Sequence, residues 1–435
     1  MSAMFRSLAG VNYRLWFAGA LVSNIGTWMQ RTAQDWIVLT ELTDHDAVAV
    51  GITMSLQLGP QLLLVPWSGL IADRFDKRRL LIATNTMMAL LGLGLGLMTV
   101  LGIADLWHVH LFALALGITS AIDAPARQAF VSELVTEKNL PNAVSLNSAS
   151  FNGARLIGPA VAGVLTVAIG AGWVFIINGV TFGATLAALL LLRQGELRPS
   201  PRAPRGPGQL VEGIRYVVTR PDIVTVMVIV FLIGTFGMNF PIYSSTMASV
   251  EFHHGAGEFG VLSSVLAIGS VTGALLSARR ERPRMRTVFL AAAGFGASCV
   301  IAALMPTFLT FALSLILVGF AAITLMTTAN GVAQTRTAPE VRGRVMAIYF
   351  AIFMGGTPLG APIVGLVANE LGPRWALGVG ALSGFAAAGV GIIYLVRERG
   401  LRLRFDRGMY VTWAGDRRER ARESLAADES AVPRG

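Results

Sequence analysis

The chain has 435 residues, of which 54% are hydrophobic and only 14% are charged, and its mean hydropathy is +0.62. A soluble domain usually carries about 25% charged residues, so a single water-soluble core is excluded. In lipid, backbone polar groups must be satisfied inside helices or closed barrels. Because the apolar runs are continuous rather than alternating, we predict an all-α membrane protein.

The net charge of +10 and the pI of about 10.7 would suggest a nucleic-acid partner in a soluble protein. In a membrane protein, basic residues in loops that stay in the cytoplasm explain the same charge, so we predict no nucleic-acid binding. Cys299 is the only cysteine, which excludes a disulfide framework and a cysteine-based metal site. The neighbouring residues His253 and His254 lack further ligands nearby, and we predict no metal site.

A membrane-spanning helix needs roughly 20 apolar residues. By this criterion the sequence predicts twelve spans, near residues 14–39, 48–72, 79–102, 107–131, 142–168, 172–192, 222–247, 257–279, 287–305, 307–333, 345–368 and 374–396.

The charge of the connecting loops alternates along the chain. Lys and Arg concentrate after the even-numbered spans, in the stretches 73–79, 193–221, 279–286 and 334–344. Lys and Arg are absent from the loops at 40–47, 103–106, 169–171 and 248–256. Because cytoplasmic loops are enriched in cations, we predict that both termini and the central linker are cytoplasmic.

These signals predict four regions. Residues 1–192 form a first six-helix bundle, and residues 222–396 form a second one. The stretch 193–221 is a cytoplasmic linker, in which Leu210, Ile214 and Val217 have helical spacing and predict a short amphipathic helix; a plain tether is the alternative. Residues 397–435 form a basic cytoplasmic tail that we predict to be partly disordered.

The two bundles contain related sequence. The stretch Gly69–Arg79 has a degraded copy about 204 residues later, at Gly273–Arg282. The stretch Gly158–Gly163 has a counterpart at Gly360–Gly365, about 202 residues later. Six spans, a linker and six related spans predict two pseudo-symmetric bundles, which is a duplicated transporter architecture.

The stretch Gly69–Arg79 also resembles a family signature. Gly69, Asp73, Arg74, Lys77 and Arg78 match the motif between helices two and three of the major facilitator superfamily, although Asp76 replaces the usual glycine. Within that superfamily, Trp28–Trp36 and Asp123–Phe130 resemble the enterobactin exporter and macrolide efflux subgroup. The pair Gly158 and Pro159 is similar to the Gly-Pro motif of many exporters.

This resemblance implies the major facilitator fold with twelve helices in two six-helix bundles, in the cytoplasmic (inner) membrane of a bacterium. It also implies proton-coupled efflux of a small hydrophobic or amphiphilic molecule, such as a drug, a siderophore or a secondary metabolite. The expected partners are this substrate, protons and membrane lipid. We expect a functional monomer that uses the proton gradient and needs no cofactor.

Charged residues inside membrane spans are functional candidates because they are costly to bury. Arg31 and Asp35 lie four residues apart in span one, next to Gln34, and this spacing permits pairing on one helical face. We hypothesise that this face lines the central cavity and that Asp35 takes up or releases the coupling proton. The alternative is a pair that only fixes helix packing.

Arg155 lies near the middle of span five, where an Arg costs roughly 3 kcal/mol or more unless it faces water or a carboxylate. It is a candidate for holding an anionic substrate group, with packing against a carbonyl as the alternative. Three more polar residues at membrane depth are cavity candidates, namely Asn24, Asn152 and Asn239.

A second group of charges lies near the cytoplasmic ends of the spans. The resemblance implies that Asp73 and Arg74 belong to a charge cluster that locks the cytoplasmic side during outward opening. Asp123 and Arg127, four residues apart in span four, are candidates for the same gate. Static orientation by positive charge is the alternative role. Pro125 between them predicts a local break in the helix.

The leading hypothesis is secondary active export by alternating access. No Gly-x-x-x-x-Gly-Lys-Ser/Thr nucleotide loop occurs, so we do not expect ATP to be the direct energy source. A proton-coupled importer is the alternative within the transport class. A non-transporting receptor or an enzyme is the alternative from another class, but no catalytic constellation supports it, and the chain is predicted not to be an enzyme.

Overall fold

The computed structural model describes residues 3–64, 67–68, 71, 74–198, 209–278, 283–338, 341–399, 401–405 and 409–413. Two residues of the predicted gate motif, Gly69 and Asp73, lie outside these ranges.

The first half begins with a 3-10 turn at Ala3–Ala9 and continues with long helices. These are α1 (Val11–Thr40), α2 (Ala47–Leu63), α3 (Lys77–Val100), α4 (Leu106–Leu134), α5 (Leu140–Ile169) and α6 (Ala171–Leu191). Short 3-10 turns at Glu137–Asn139 and Gln194–Glu196 flank α5 and α6.

The linker contains helix α7 (Gln209–Val218), and the second half follows it. Its first span consists of α8 (Pro221–Leu232), a π-helical turn at Ile233–Gly237, α9 (Phe240–Thr246) and a second π-helical turn at Met247–Glu251. The remaining helices are α10 (Ala256–Ala278), α11 (Met285–Ala303), α12 (Phe308–Arg336), α13 (Arg342–Leu371) and α14 (Pro373–Arg399).

The protein has twelve transmembrane helices in two six-helix bundles, as predicted. Within the described residues, 10 helical stretches are long and apolar enough to cross a membrane by length and composition. The other two spans are α1, which has 30 residues but many polar side chains, and α2, which has 17 residues. Most observed helix ends lie within three residues of the predicted ones.

Three predicted helices differ from their observed form. Helix α2 ends at Leu63, and helical residues recur at 67–68 and 71, so the predicted span 48–72 is not one continuous helix. Span seven is interrupted at Met238 and Asn239, just before Pro241. By contrast, α4 runs without interruption through Pro125, so the predicted break there is wrong.

The two halves repeat each other in length and in turn geometry. Helices α4 and α12 both have 29 residues, and α5 and α13 both have 30. Gly170 and Gly372, which end α5 and α13, adopt positive φ angles of 87° and 98°. His45 and His253, in the loops after the first span of each half, share φ angles of 59° and 55°. Left-handed backbone is uncommon for residues other than glycine, so its recurrence in corresponding loops supports the duplicated architecture.

Beyond α14, the tail contains a two-stranded antiparallel hairpin, β1 (Leu401–Phe405) and β2 (Met409–Trp413). Leu401 pairs with Trp413, and Phe405 pairs with Met409. Apolar residues alternate with arginines along β1, and this period of two is typical of a strand. The rest of the basic tail, 414–435, lies outside the described residues.

Candidate functional site

The bundle has two ends with different connections. We call the end that holds the linker helix α7 the linker end. The opposite end, which we call the loop end, holds the short connections after α1, α3, α5, α11, α13 and the second π-helical turn. At the linker end, Glu212 of α7 forms an ion pair with Arg344 of α13 at 2.6 Å, and Val217 is buried in the core. Helix α7 is therefore docked on the second half.

The two halves are tightly joined along α2 and α13. At Gly51, an added Cβ would lie 2.6 Å from the carbonyl oxygen of Ala361, so only glycine permits this approach. Nearby, the Ser55 hydroxyl donates a hydrogen bond to the carbonyl oxygen of Pro358 at 2.6 Å. That carbonyl is free because Pro362, its normal helical donor, has no N–H. Both contacts seal the two halves against each other.

A second contact joins the halves along α5 and α10. An added Cβ at Gly260 would lie 2.6 Å from the carbonyl oxygen of Pro159, and one at Gly163 would lie 2.9 Å from that of Ala256. The predicted exporter-type residue Pro159 is therefore part of the interface between halves. Glycines permit such close backbone approach in membrane helix pairs.

Polar and aromatic contacts complete the seal at the loop end. The Asn369 side chain donates to Asp46 Oδ1 at 2.7 Å and accepts a hydrogen bond from the backbone N–H of Ala47 at 2.8 Å. The rings of Trp36 and Phe259 stack with centroids 5.7 Å apart. All these pairs connect the first half to the second.

Among the described residues, no comparable seal surrounds α5 at the linker end. An added Cβ at Gly153 of α5 would meet no atom within 4 Å, and the same holds for Gly343 in the first turn of α13. Asn152 is exposed, and Phe151 beside it is 49% exposed. Within the described residues, the contacts between the halves thus lie towards the loop end, and we interpret the space between the halves at the linker end as a cavity.

One face of α1 lies along this cavity. Asn24, Trp28 and Arg31 are spaced by three or four residues and are partly exposed, and Asp35 continues the stripe at 8% exposure. Because α1 packs on helices of its own half and on α9 and α10 of the other, its accessible stripe faces the space between the halves. The predicted cavity candidates Asn24, Arg31 and Asp35 thus share one face.

Arg31 and Asp35 do not form the pair that their spacing permits. Among the described residues, no ion pair joins their side chains within 4.0 Å. Arg31 Nε is buried and has no hydrogen-bond partner there. Instead, the Arg31 guanidinium lies over the ring of Trp28, with its Cζ 5.3 Å from the ring centroid.

Arg155 of α5 reaches the same indole. Its Cζ lies 5.6 Å from the Trp28 ring centroid, and Phe151 contacts Trp28 edge-on with ring centroids 5.7 Å apart. Gly158 makes this arrangement possible, because a Cβ there would lie 2.5 Å from the Cβ of Trp28. The structure thus brings together the predicted candidates Arg31 and Arg155 around Trp28. Sequence reasoning missed Trp28 as a site residue, although its position one turn before Arg31 was a usable signal.

The remaining cavity candidates have separate surroundings. Asn24 donates to Ser150 of α5 at 3.3 Å, next to the arginine cluster. The side chain of Asn152 donates to Ser148 in its own helix at 2.8 Å. Gln34 is 1% exposed, and its Oε1 lacks a partner among the described residues. Asn239 is fully buried in the break of span seven and cannot be reached from the cavity in this conformation.

The gate residues that the structure describes have their recorded contacts within the first half. Arg74 is exposed, Lys77 forms an ion pair with Glu133, and Arg78 Nε donates to the carbonyl oxygen of Leu189 at 2.7 Å. A gate that assembles when the linker end closes would be open here, so its role stays a prediction.

Asp123 and Arg127 are paired inside the first bundle. Arg127 Nε donates to Asp123 Oδ2 at 2.7 Å. The other carboxylate oxygen accepts hydrogen bonds from Thr84 at 2.6 Å and Asn85 at 3.0 Å. Arg127 also lies over the ring of Trp16, at 5.4 Å from its centroid. This network joins α1, α3 and α4, and its role as a gate also stays a prediction.

Comparison with known proteins supports the fold. The sequence is similar to the staphyloferrin A transporter of Staphylococcus aureus, with 26% identity over 82% of this chain and 90% of the relative. It is also similar to the enterobactin exporter EntS of Shigella flexneri, with 24% identity over 82% of this chain and 85% of the relative.

Among solved structures, the chain is similar to a bacterial homologue of the human lysosomal transporter Spinster in an inward-facing, occupied conformation. The TM-score is 0.69 at 14% identity, and the match covers 90% of this chain and 97% of the other. At this identity the similarity concerns the fold alone.

The match to a family model is nearly complete along the chain. Residues 3–401 match MFS_3, described as "Transmembrane secretion effector". Together with the two six-helix bundles and the cavity between them, this match shows that the chain belongs to this family of the major facilitator superfamily and is a membrane transporter.

Proposed function

We propose that this transporter exports a small amphiphilic molecule of the siderophore type in exchange for protons, by alternating access. The observation that supports the proposal is the stripe on α1 in which a partly exposed guanidinium, Arg31, is followed one turn later by a carboxyl group, Asp35, that is 8% exposed. Asp35 is the only acidic residue of α1.

Alternating access needs a site that faces one side at a time. The seals along α2–α13 and α5–α10 close the loop end, and the cavity opens at the linker end. With the proposed orientation, in which both termini are cytoplasmic, this is the inward-facing state that loads an exported substrate. Rocking of one bundle against the other would then expose the site to the opposite side.

The substrate class is supported by the names of the relatives. One is a staphyloferrin A transporter and the other an enterobactin exporter. Their identities of 26% and 24% leave the individual substrate open, so the proposal extends only to small amphiphilic molecules of this type. We further propose a monomer in the bacterial inner membrane, non-enzymatic and driven by the proton gradient without a cofactor.

Asp35→Asn tests the role of the carboxyl group. Purified protein is reconstituted in vesicles with an imposed pH gradient, and flux of enterobactin, staphyloferrin A and a macrolide is measured. We expect the wild type to transport at least one compound. The variant should lose gradient-driven flux by tenfold or more, because an amide cannot carry the proton. Asp44→Asn, at an exposed loop carboxylate, is the matched control.

Equal gradient-driven flux in Asp35→Asn and the wild type would contradict the proposed proton site. The same panel in cells separates export from the alternative, proton-coupled import. Export lowers the cellular content of the compound when the protein is produced, whereas import raises it.

A further inference from the structure

We infer that Trp28, Arg31 and Arg155 form a subsite for an organic anion, in which a carboxylate is attached to a flat aromatic body. This inference deepens the proposed function and rests on it for the transport of the ligand. It does not depend on proton coupling or on the direction of transport.

The first argument is the charge balance of the cluster. Two guanidiniums approach one indole ring, with Cζ-to-centroid distances of 5.3 Å and 5.6 Å. Within the described part of the chain, neither arginine has a carboxylate partner within 4.0 Å. Cations at this membrane depth are costly unless they face water or a counter-charge. Asp35 interacts with Arg31 electrostatically from more than 4.0 Å, so two guanidiniums face one distant carboxylate, and a ligand from the cavity can supply further negative charge.

The second argument is the shape of the donors. A guanidinium presents N–H groups in a fixed planar fork that matches the two oxygens of a carboxylate. Arg31 Nε is buried and has no hydrogen-bond partner among the described residues, so its N–H is unpaired in this conformation. Lysine would provide the same charge without this geometry.

The third argument is the aromatic surroundings. Trp28 and Phe151 lie edge to face at 5.7 Å, and Phe151 is 49% exposed. Ring surfaces next to cationic groups favour a ligand that is flat and apolar on one side and anionic on the other. The nearby Asn24 adds a polar group that bonds across to α5.

The fourth argument is the position of the cluster. Arg155 lies 14 residues from the loop end of α5, which corresponds to roughly 21 Å along the helix. It is therefore near the middle of the membrane, just beyond the seal that Gly260 and Pro159 form. A ligand held there blocks no part of the sealed interface and is accessible from the linker end.

The test uses 2-naphthoate and 2-naphthamide, which have the same ring and differ in charge. Binding to the purified full-length protein is measured by equilibrium dialysis. We expect the wild type to bind the carboxylate at least tenfold more tightly than the amide. Arg155→Ala should weaken naphthoate binding about tenfold or more, because a charge-assisted hydrogen bond is lost. It should leave the binding of naphthamide nearly unchanged.

Two further variants sharpen the test. Arg155→Lys keeps the positive charge but loses the planar fork of N–H groups. Its affinity for naphthoate should therefore lie between those of the wild type and Arg155→Ala. Arg193→Ala removes an arginine whose side chain is 62% exposed, and it should bind naphthoate like the wild type. Equal affinity of the wild type for naphthoate and naphthamide would overturn the inference without relying on any variant. An unchanged preference in Arg155→Ala would overturn the role of Arg155.

The result of this binding test can be distinguished from the result of the transport test of the proposed function. If naphthoate binds selectively but no compound is driven by a pH gradient, the anion subsite stands and proton-coupled export fails. If gradient-driven flux occurs without preference for anions, the proposed function stands and the subsite fails.

Discussion

The first bundle contains buried charged side chains of two kinds, some with an ion-pair partner among the described residues and some without one. Asp123 and Arg127 are paired, and every oxygen of the Asp123 carboxylate accepts a hydrogen bond. Among the described residues, Arg31 and Arg155 have no carboxylate within 4.0 Å, and both lie over the ring of Trp28. A satisfied pair stabilises one arrangement of helices, whereas unpaired cations at a cavity are available for a ligand. The contrast separates a structural network from a binding site within the same bundle.

Asp123→Ala tests the structural network. The variant leaves Arg127 buried without its carboxylate, and we expect a loss of roughly 3–5 kcal/mol in the free energy of unfolding. The measurement is unfolding in detergent, followed by loss of helical signal. The double variant Asp123→Ala/Arg127→Ala should lose less than the sum of the two single variants, because no charge is left unpaired.

Glu196→Ala is the matched control for this experiment. It removes one partner of an exposed pair with Arg193, and exposed pairs contribute only about 0–1 kcal/mol. If Asp123→Ala lowers the free energy of unfolding as little as Glu196→Ala does, the network does not stabilise the bundle.

At the level of helices, glycines set the distance between the two halves. Gly51 permits the contact of α2 with α13, and Gly260 permits the contact of α5 with α10. Prolines in the same helices contribute free carbonyl groups, one of which accepts the hydrogen bond from Ser55. Small residues and prolines thus give the interface close packing and a few directed bonds.

Gly260→Ala is expected to strain the contact of α5 with α10. The added carbon would lie 2.6 Å from the Pro159 oxygen and 3.0 Å from the Gly163 Cα. Overpacking of this kind costs about 1–3 kcal/mol, and we expect a lower midpoint of thermal unfolding. Gly183→Ala, where nothing lies within 4 Å of the added carbon, should leave the midpoint unchanged or raise it slightly, because alanine favours a helix more than glycine does. Equal midpoints for the two variants would contradict this account of the interface.

The sequence predicts the helices better than their contacts. Hydropathy determines the span ends to within a few residues in most cases, because a membrane imposes a minimum apolar length. The interruption of span seven lies just before Pro241, and a proline removes a helical N–H, but nothing local predicts the π-helical turns. Packing against another helix contributes there: an added Cβ at Gly356 would lie 2.7 Å from the Thr235 backbone nitrogen.

For the candidate site, too, the sequence indicates the residues but not their contacts. Arg31 and Arg155 are recognisable because intramembrane charges are rare. Their meeting at Trp28 requires the close approach of α1 and α5 at Gly158, which depends on tertiary packing. The spacing of Arg31 and Asp35 suggested a pair on one helix, but the ring of Trp28 contacts the guanidinium instead.

For the molecule as a whole, the closed loop end and the open linker end define one of two states. The contact of Asn369 with Asp46 and Ala47 belongs to the closed loop end and joins the two halves. It borders a crevice of about 360 Å³ that Thr246 also lines. When the loop end opens, this contact has to break.

Asn369→Ala should therefore shift the protein towards the state with an open loop end. Losing hydrogen bonds worth about 1–3 kcal/mol changes the equilibrium between the two states by roughly 5- to 150-fold. The measurement is the alkylation rate of a cysteine introduced by Thr246→Cys, with the buried Cys299 replaced by Ser. We expect faster alkylation in the Asn369→Ala background.

Asn152→Ala is the control, because the amide of Asn152 bonds only within its own helix. If the introduced cysteine is alkylated at the same slow rate in the Asn369→Ala and Asn152→Ala backgrounds, the contact of Asn369 does not hold the loop end closed.

The short distance between Arg155 and Pro159 has a mechanical consequence. These residues lie four apart on α5, a separation of roughly 6 Å along the helix axis. One faces the cavity cluster, and the other bears on Gly260 of the opposite half. Pro159 has no N–H to bond the Arg155 carbonyl, so this turn of α5 lacks one helical hydrogen bond and can bend between the arginine cluster and the contact with the opposite half.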